Sequence, residues 1–207
     1  MKILGFPAGA PGRAVLACIL LLCAFAASPT RAEEPERPLV FVSGMLGSML
    51  CRIDPDGGKD VVWGTVDAMG QFPTLAVDAT RSDIEPCGLI REISFLGVFT
   101  QTVYGPFIER LEQTGYREGE TLFVFDYDWR LSVFDNARRL AYYVEAAIPG
   151  RGEVDIVAHS MGGLIARIYA MEDGGAGRIA RLVSAGSPWR GSVQVFELLE
   201  AGWGLAN

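Results

Sequence analysis

The stretch Val154-Asp155-Ile156-Val157-Ala158-His159-Ser160-Met161-Gly162-Gly163 decides how the rest of this chain is read. A short apolar run ends in a small residue, His159 and Ser160 follow, and then two glycines. Leu164-Ile165-Ala166-Arg167-Ile168-Tyr169-Ala170 continues with helical character. The order is strand, sharp turn, helix, with a serine at the apex. The pattern A-x-S-x-G is a small-residue variant of the G-x-S-x-G turn that presents a nucleophile. Such a turn strains the serine backbone, so its neighbours must be small, and Ala158, Gly162 and Gly163 are. Ser160 is therefore the candidate nucleophile. The Met161 N–H, at the helix start, faces the same pocket and is a candidate donor to an oxyanion.

The 207 residues suffice for one α/β domain with its own core. Residues 1–32 read as a separate leader: a basic start at Lys2 and Arg13, the apolar run Ala14 to Ala27, then Ser28-Pro29-Thr30-Arg31-Ala32. That run is too short for an ordinary membrane-spanning helix. The expected element is a secretory signal peptide cut near Ala32, which places the mature chain, 33–207, in the periplasm or outside the cell. Without the three basic residues of 1–32, the 18 basic residues fall to 15 against 25 acidic ones, a formal charge of −10. An acidic chain with no basic cluster argues against nucleic acid as a partner. Cys51 and Cys87 are the cysteines left after residue 32, and in an oxidising compartment they are a candidate disulfide. No C-x-x-C pair or histidine cluster suggests a metal, and no cofactor is expected.

Leu39-Val40-Phe41-Val42 is a continuous apolar run, as expected of a strand buried on both faces. Ser43-Gly44-Met45-Leu46-Gly47-Ser48 follows directly. A glycine-bearing loop after an early strand is where α/β-hydrolases place their second oxyanion N–H, assigned here to the backbone of Met45. Residues 49–103 lack sustained periodicity and are expected to form a lid- or cap-like insertion. Its apolar segment Ile93 to Phe99 either covers a hydrophobic substrate or packs inward. From Tyr104 a helical period appears in Tyr104, Phe107, Ile108 and Leu111, with Gly115 as a stop. Thr121 to Phe125 is the next strand, followed by Asp126-Tyr127-Asp128-Trp129-Arg130. Ser132 caps a helix, with Asp135 in the capping-box position, and Pro149-Gly150 ends it. Val154 to Val157 leads into the serine turn, and Ile179 to Ala185 is a further strand. Alternating strands and helices imply parallel pairing.

Four segments, in this order, carry a resemblance to the lecithin:cholesterol acyltransferase family. They are Val42-Ser43-Gly44-Met45-Leu46-Gly47-Ser48, Tyr127-Asp128-Trp129-Arg130, Ala158-His159-Ser160-Met161-Gly162-Gly163 and Gly186-Ser187-Pro188-Trp189-Arg190-Gly191-Ser192. The run Tyr127 to Arg130 is the most specific of them. The resemblance implies an α/β-hydrolase fold, of which this chain carries the N-terminal part: a parallel sheet flanked by helices, with an early lid-like insertion. It implies Ser160 as nucleophile, backbone donors at Met45 and Met161, and acyl ester substrates, typically lipids. It also implies a disulfide-tied lid, matched by the Cys51/Cys87 segment, whose apolar residues suit a membrane or lipid surface. Ser43 and Ala158 stand where the family often has proline and glycine. Asp128, Trp129 and Arg130 are read as a buried brace beneath the pocket, since buried charges need partners.

A serine attacks at neutral pH with the help of a base, normally a histidine held by a carboxylate. In α/β-hydrolases the order is serine, acid, histidine. The single histidine here, His159, immediately precedes the serine, and no histidine follows it. The triad acid and histidine are absent from these residues. The preferred reading is the amino-terminal part of a secreted serine lipase, phospholipase or O-acyltransferase. The alternatives are a catalytically inactive truncated remnant, or a non-lipid serine esterase or thioesterase.

Overall fold

Every residue of Leu39–Val42 (β1) is buried, which is what an apolar run without alternation requires of its surroundings. The computed structural model describes residues 35–69, 75, 83–95, 99–150, 152–172 and 174–193. They lie within one unit, Glu33–Asn207. The expected leader, 1–32, lies outside the described residues. After β1 come β2 (Ser48–Ile53), β3 (Lys59–Trp63), α1 (Val66–Met69), β4 (Ile84–Leu89), β5 (Glu92–Phe95) and β6 (Phe99–Thr102). Then follow α2 (Gly105–Gln113), β7 (Leu122–Phe125), α3 (Val133–Ala147), β8 (Val154–His159), α4 (Met161–Glu172) and β9 (Ile179–Ala185).

β1, β7, β8 and β9 form a parallel sheet in the order β7-β1-β8-β9. Alternate side chains of β1 serve opposite faces. Val40 and Val42 join Phe123, Phe125, Ile156 and Ala158 against Leu140 and Val144 of α3 and Ile165, Ala166 and Tyr169 of α4. Leu39 and Phe41 join Leu122 against Ile108 of α2. Each fully buried Leu, Ile or Phe in these layers contributes about 1.5–3 kcal/mol. This is the expected α/β class, a parallel sheet flanked by helices, arranged as a partial α/β-hydrolase-like fold.

The helix ends follow from the residues at them. Ser132 is extended (φ −61°, ψ 148°) and its Oγ accepts the Asp135 N–H. The same hydroxyl donates to Asp135 Oδ2 at 2.8 Å, a side-chain bond between the two capping-box positions. α2 has Pro106 in its first turn, where a missing N–H costs nothing.

The described residues of 49–103 are more regular than their sequence suggests. β2, β3 and β4 make a three-stranded antiparallel sheet in the order β3-β2-β4, and β5 and β6 make a hairpin. Periodicity is weak because β4 contains Pro86 and Gly88, while β3 leaves solvent only at its final residues. The sheet has its own core of Leu50, Val62, Trp63, Leu75, Ile84 and Ile90. Cys51 and Cys87 are joined across β2 and β4, with Cα atoms 5.8 Å apart. The hairpin splits the apolar segment: Ile93 packs towards this core, whereas Phe95 and Phe99, paired across the hairpin, are 40% and 74% exposed.

Candidate active site

Register decides where the site forms. Val42 of β1 pairs with Ala158 of β8, so the loop after β1 and the turn after β8 leave the sheet side by side. At that turn Ser160 has φ +51°, in the left-handed region that a residue with a Cβ rarely adopts. The strained backbone is held from both sides. The Ser160 N–H donates to the Ala185 carbonyl at the end of β9 (2.8 Å), and the Gly163 N–H closes onto the Ser160 carbonyl (3.0 Å). Met161 is the first residue of α4, so its N–H belongs to the amides that a helix start leaves without an intrahelical acceptor.

The small residues after the serine are required by contact. A Cβ at Gly162 would lie 2.3 Å from the Ser43 carbonyl oxygen and 2.6 Å from that of Val42. A Cβ at Gly163 would lie 1.9 Å from Ser187 Oγ. The Gly186–Ser192 segment therefore packs directly on the start of α4, where Ser184 Oγ also donates to Ser187 Oγ at 2.6 Å. Trp189 lies on the outside of this loop, 41% exposed, with the Arg167 guanidinium 5.4 Å from its ring centre.

The loop carrying Met45 is a turn closed by the Gly47 N–H on the Gly44 carbonyl (3.0 Å). Leu46 within it has φ +66°, a second strained residue. Four aromatic side chains from three other places pin its backbone. Tyr127 donates its hydroxyl to the Ser43 carbonyl (2.9 Å), and Trp63 Nε1 donates to the Leu46 carbonyl (3.0 Å). Trp129 Nε1 donates to the Ser48 carbonyl (3.2 Å), and the Gly44 N–H donates to the Tyr104 hydroxyl (2.9 Å). Ser48 Oγ in turn accepts the Tyr127 N–H (3.1 Å). Burial pushes the Tyr127 phenol well above its ordinary pKa, with a smaller contribution from Tyr104, so it remains a neutral donor.

Asp128 and Arg130 meet in the segment whose Tyr127 and Trp129 hold this loop. Arg130 Nε and Nη2 donate to the two carboxylate oxygens at 2.8 and 2.6 Å, and the Arg130 N–H adds a third bond. Both side chains are shielded from solvent, at 9% and 3% exposure. Trp129 between them stacks edge-on against Trp63, centroids 5.4 Å apart, and so joins β3 to the segment after β7.

His159 is exposed at the end of β8, and its Nδ1 lies 2.8 Å from the Tyr104 hydroxyl. Among the described residues no group of three or more His, Cys, Asp or Glu gathers as metal ligands would. The structure sets the Met45 loop beside Ser160, starts α4 at Met161 directly after it, and pairs Asp128 with Arg130. It adds Tyr104, Tyr127 and Trp63, which the sequence did not single out for the site. A signal for Tyr104 existed: a tyrosine directly before Gly105-Pro106 occupies an N-cap, a position where its side chain serves no purpose of the helix.

A strained serine thus stands at the end of β8, next to the loop that follows β1. A model of the family described as lecithin:cholesterol acyltransferase matches residues 75–205, a span that includes three of the four recognition segments and begins after the Met45 loop. Lecithin-cholesterol acyltransferase-like 4 from Arabidopsis thaliana is 23% identical over 171 residues, which is 67% of this chain and 32% of that protein. The chain therefore spans about a third of the length of the curated relative it matches. On the strength of the matched family model, this chain belongs to the lecithin:cholesterol acyltransferase family.

Proposed function

We propose that the chain is the amino-terminal part of a secreted enzyme that transfers acyl groups from lipid esters through an acyl-Ser160 intermediate. The observation that carries this is the left-handed backbone of Ser160, strain that proteins keep where an exposed nucleophile is needed. In the proposed reaction Ser160 Oγ attacks the ester carbonyl and its proton passes to a base. The Met45 and Met161 N–H groups stabilise the tetrahedral oxyanion, and the alcohol leaves with the proton returned by that base. Water or an acceptor alcohol then releases the acyl group. The base and its acid partner are proposed to lie in sequence beyond these 207 residues. Supporting this, the one histidine has its Nδ1 engaged by Tyr104. The exposed Phe95, Phe99, Val103 and Phe107 support contact of the insertion and the start of α2 with a lipid surface.

The test starts with the native protein, at the length its source produces. Its intact mass is expected to exceed that of residues 33–207 well beyond error. It should hydrolyse phosphatidylcholine vesicles and react at Ser160 with a fluorophosphonate, both abolished in Ser160→Ala. A mass matching residues 33–207 without lipid turnover would favour the inactive remnant. Turnover of water-soluble esters alone would favour a non-lipid esterase.

A further inference from the structure

Tyr104 occupies the N-cap of α2, yet its side chain makes no cap hydrogen bond. Its ring instead lies edge-on to Phe41 of β1, centroids 5.2 Å apart at 65°, and T-shaped to His159, 5.8 Å apart at 70°. Its hydroxyl accepts the Gly44 N–H at 2.9 Å and stands 2.8 Å from His159 Nδ1. Gly44 makes the approach possible. A Cβ there would lie 2.9 Å from His159 Nδ1, 3.0 Å from Ser160 Cβ and 3.3 Å from the Tyr104 hydroxyl. One phenol therefore touches both halves of the site, which belong to separate segments of the chain.

We infer that Tyr104 is a positioning residue that locks the Met45 loop to the serine turn through the chain Gly44 N–H, Tyr104 hydroxyl, His159 Nδ1. The role rests on the reading of Ser160 as nucleophile. Two consequences follow from counting protons. The Gly44 amide is taken by the phenol, which leaves the next amide, Met45, as the loop's donor to an oxyanion. The phenol already accepts one hydrogen bond, and its single proton is assigned to Nδ1, the acceptor within reach at 2.8 Å. His159 is then the neutral tautomer with its hydrogen on Nε2, a brace on the turn and no acceptor for the Ser160 proton through Nδ1. Burial raises the Tyr104 pKa above its ordinary value and outweighs the opposing Gly44 hydrogen bond, so the phenol keeps its proton at neutral pH.

The experiment uses the native protein labelled with ¹⁵N-histidine, the His159 ring signals being assigned through their bonds to its backbone. The wild type is expected to show the Nε2–H tautomer at neutral pH, a measurement that needs no variant. In Tyr104→Phe, which keeps the ring, the Nδ1 resonance should move. The Gly44 amide should exchange with deuterium about tenfold faster, and phosphonylation of Ser160 should slow about tenfold, the factor for one lost neutral hydrogen bond. An Nδ1–H tautomer in the wild type would overturn the inference. So would a Tyr104→Phe protein with unchanged Nδ1 resonance, Gly44 exchange and phosphonylation rate. Failure of the underlying reading looks different: wild-type Ser160 would not react at all, while the tautomer and exchange responses would still report the link.

Discussion

Replacing Gly162 by alanine tests whether the close approach of α4 to β1 is real. A new Cβ would stand 2.3 and 2.6 Å from the Ser43 and Val42 carbonyl oxygens and 2.9 Å from Val42 Cγ1. Two of these obstacles are backbone atoms, one in the last residue of buried β1 and one in the buried residue after it, so neither can rotate aside as a side chain would. Overpacking of this kind costs about 1–3 kcal/mol, and the upper half of that range applies when the backbone itself must shift. Alanine's better helix propensity offsets this by up to about 1 kcal/mol. The net expectation is a loss of about 2 kcal/mol, which at a urea m-value of about 2 kcal/mol/M lowers the unfolding midpoint by about 1 M. Gly177→Ala is the matched control. No atom lies within 4 Å of its added Cβ, so its midpoint should stay level or rise slightly. Since the displaced atoms begin the Met45 loop, Gly162→Ala should also slow phosphonylation of Ser160. A Gly162→Ala midpoint at or above wild type would refute the packing argument.

Strain at Ser160 predicts that Ser160→Gly melts above Ser160→Ala by about 1 kcal/mol, because only glycine relieves φ +51° without penalty; equal midpoints would mean no strain is stored there. Arg130→Met should cost about 3–5 kcal/mol by leaving Asp128 buried and unpaired. Adding Asp128→Asn should recover part of that loss in urea unfolding, and additive losses would argue against a coupled pair. Tyr143 donates its hydroxyl to the Val124 carbonyl at 3.0 Å. Burial, aided by Asp126 and Glu118, pushes its pKa up to about 12 from 10. A folded pKa above the unfolded value means that its contribution is complete below pH 10 and is lost as pH rises towards 12. Tyr143→Phe should therefore flatten the alkaline loss of stability, and an unchanged slope would contradict that assignment.

The serine turn was legible because its signals are local. A small residue before Ser160 and two glycines after it answer to the steric demands of one turn, and the flanking strand and helix announce themselves by period. The same holds for the Ser132 cap and for β1, whose four consecutive apolar residues admit no solvent face. The insertion was not legible as a sheet. Its strands are short, half-exposed and interrupted by Pro86 and Gly88, so pairing with distant partners stabilises them where their own pattern does not. Asp128 and Arg130 were readable as a pair because buried charges need partners, but the hold of Trp63, Tyr127 and Trp129 on the Met45 loop was not.

By itself, then, the sequence determined the fold class, the nucleophile candidate and the family, because each rests on short segments whose signals are local, read in their order along the chain. Only the tertiary structure decided how the Gly44 amide beside Ser160 is engaged and what the lone histidine's Nδ1 meets. Those answers depend on the β1–β8 register, which sets Gly44 against Ser160, and on a phenol from the start of α2 reaching both. Contacts between residues 55 and 60 positions apart leave no periodic trace along the chain.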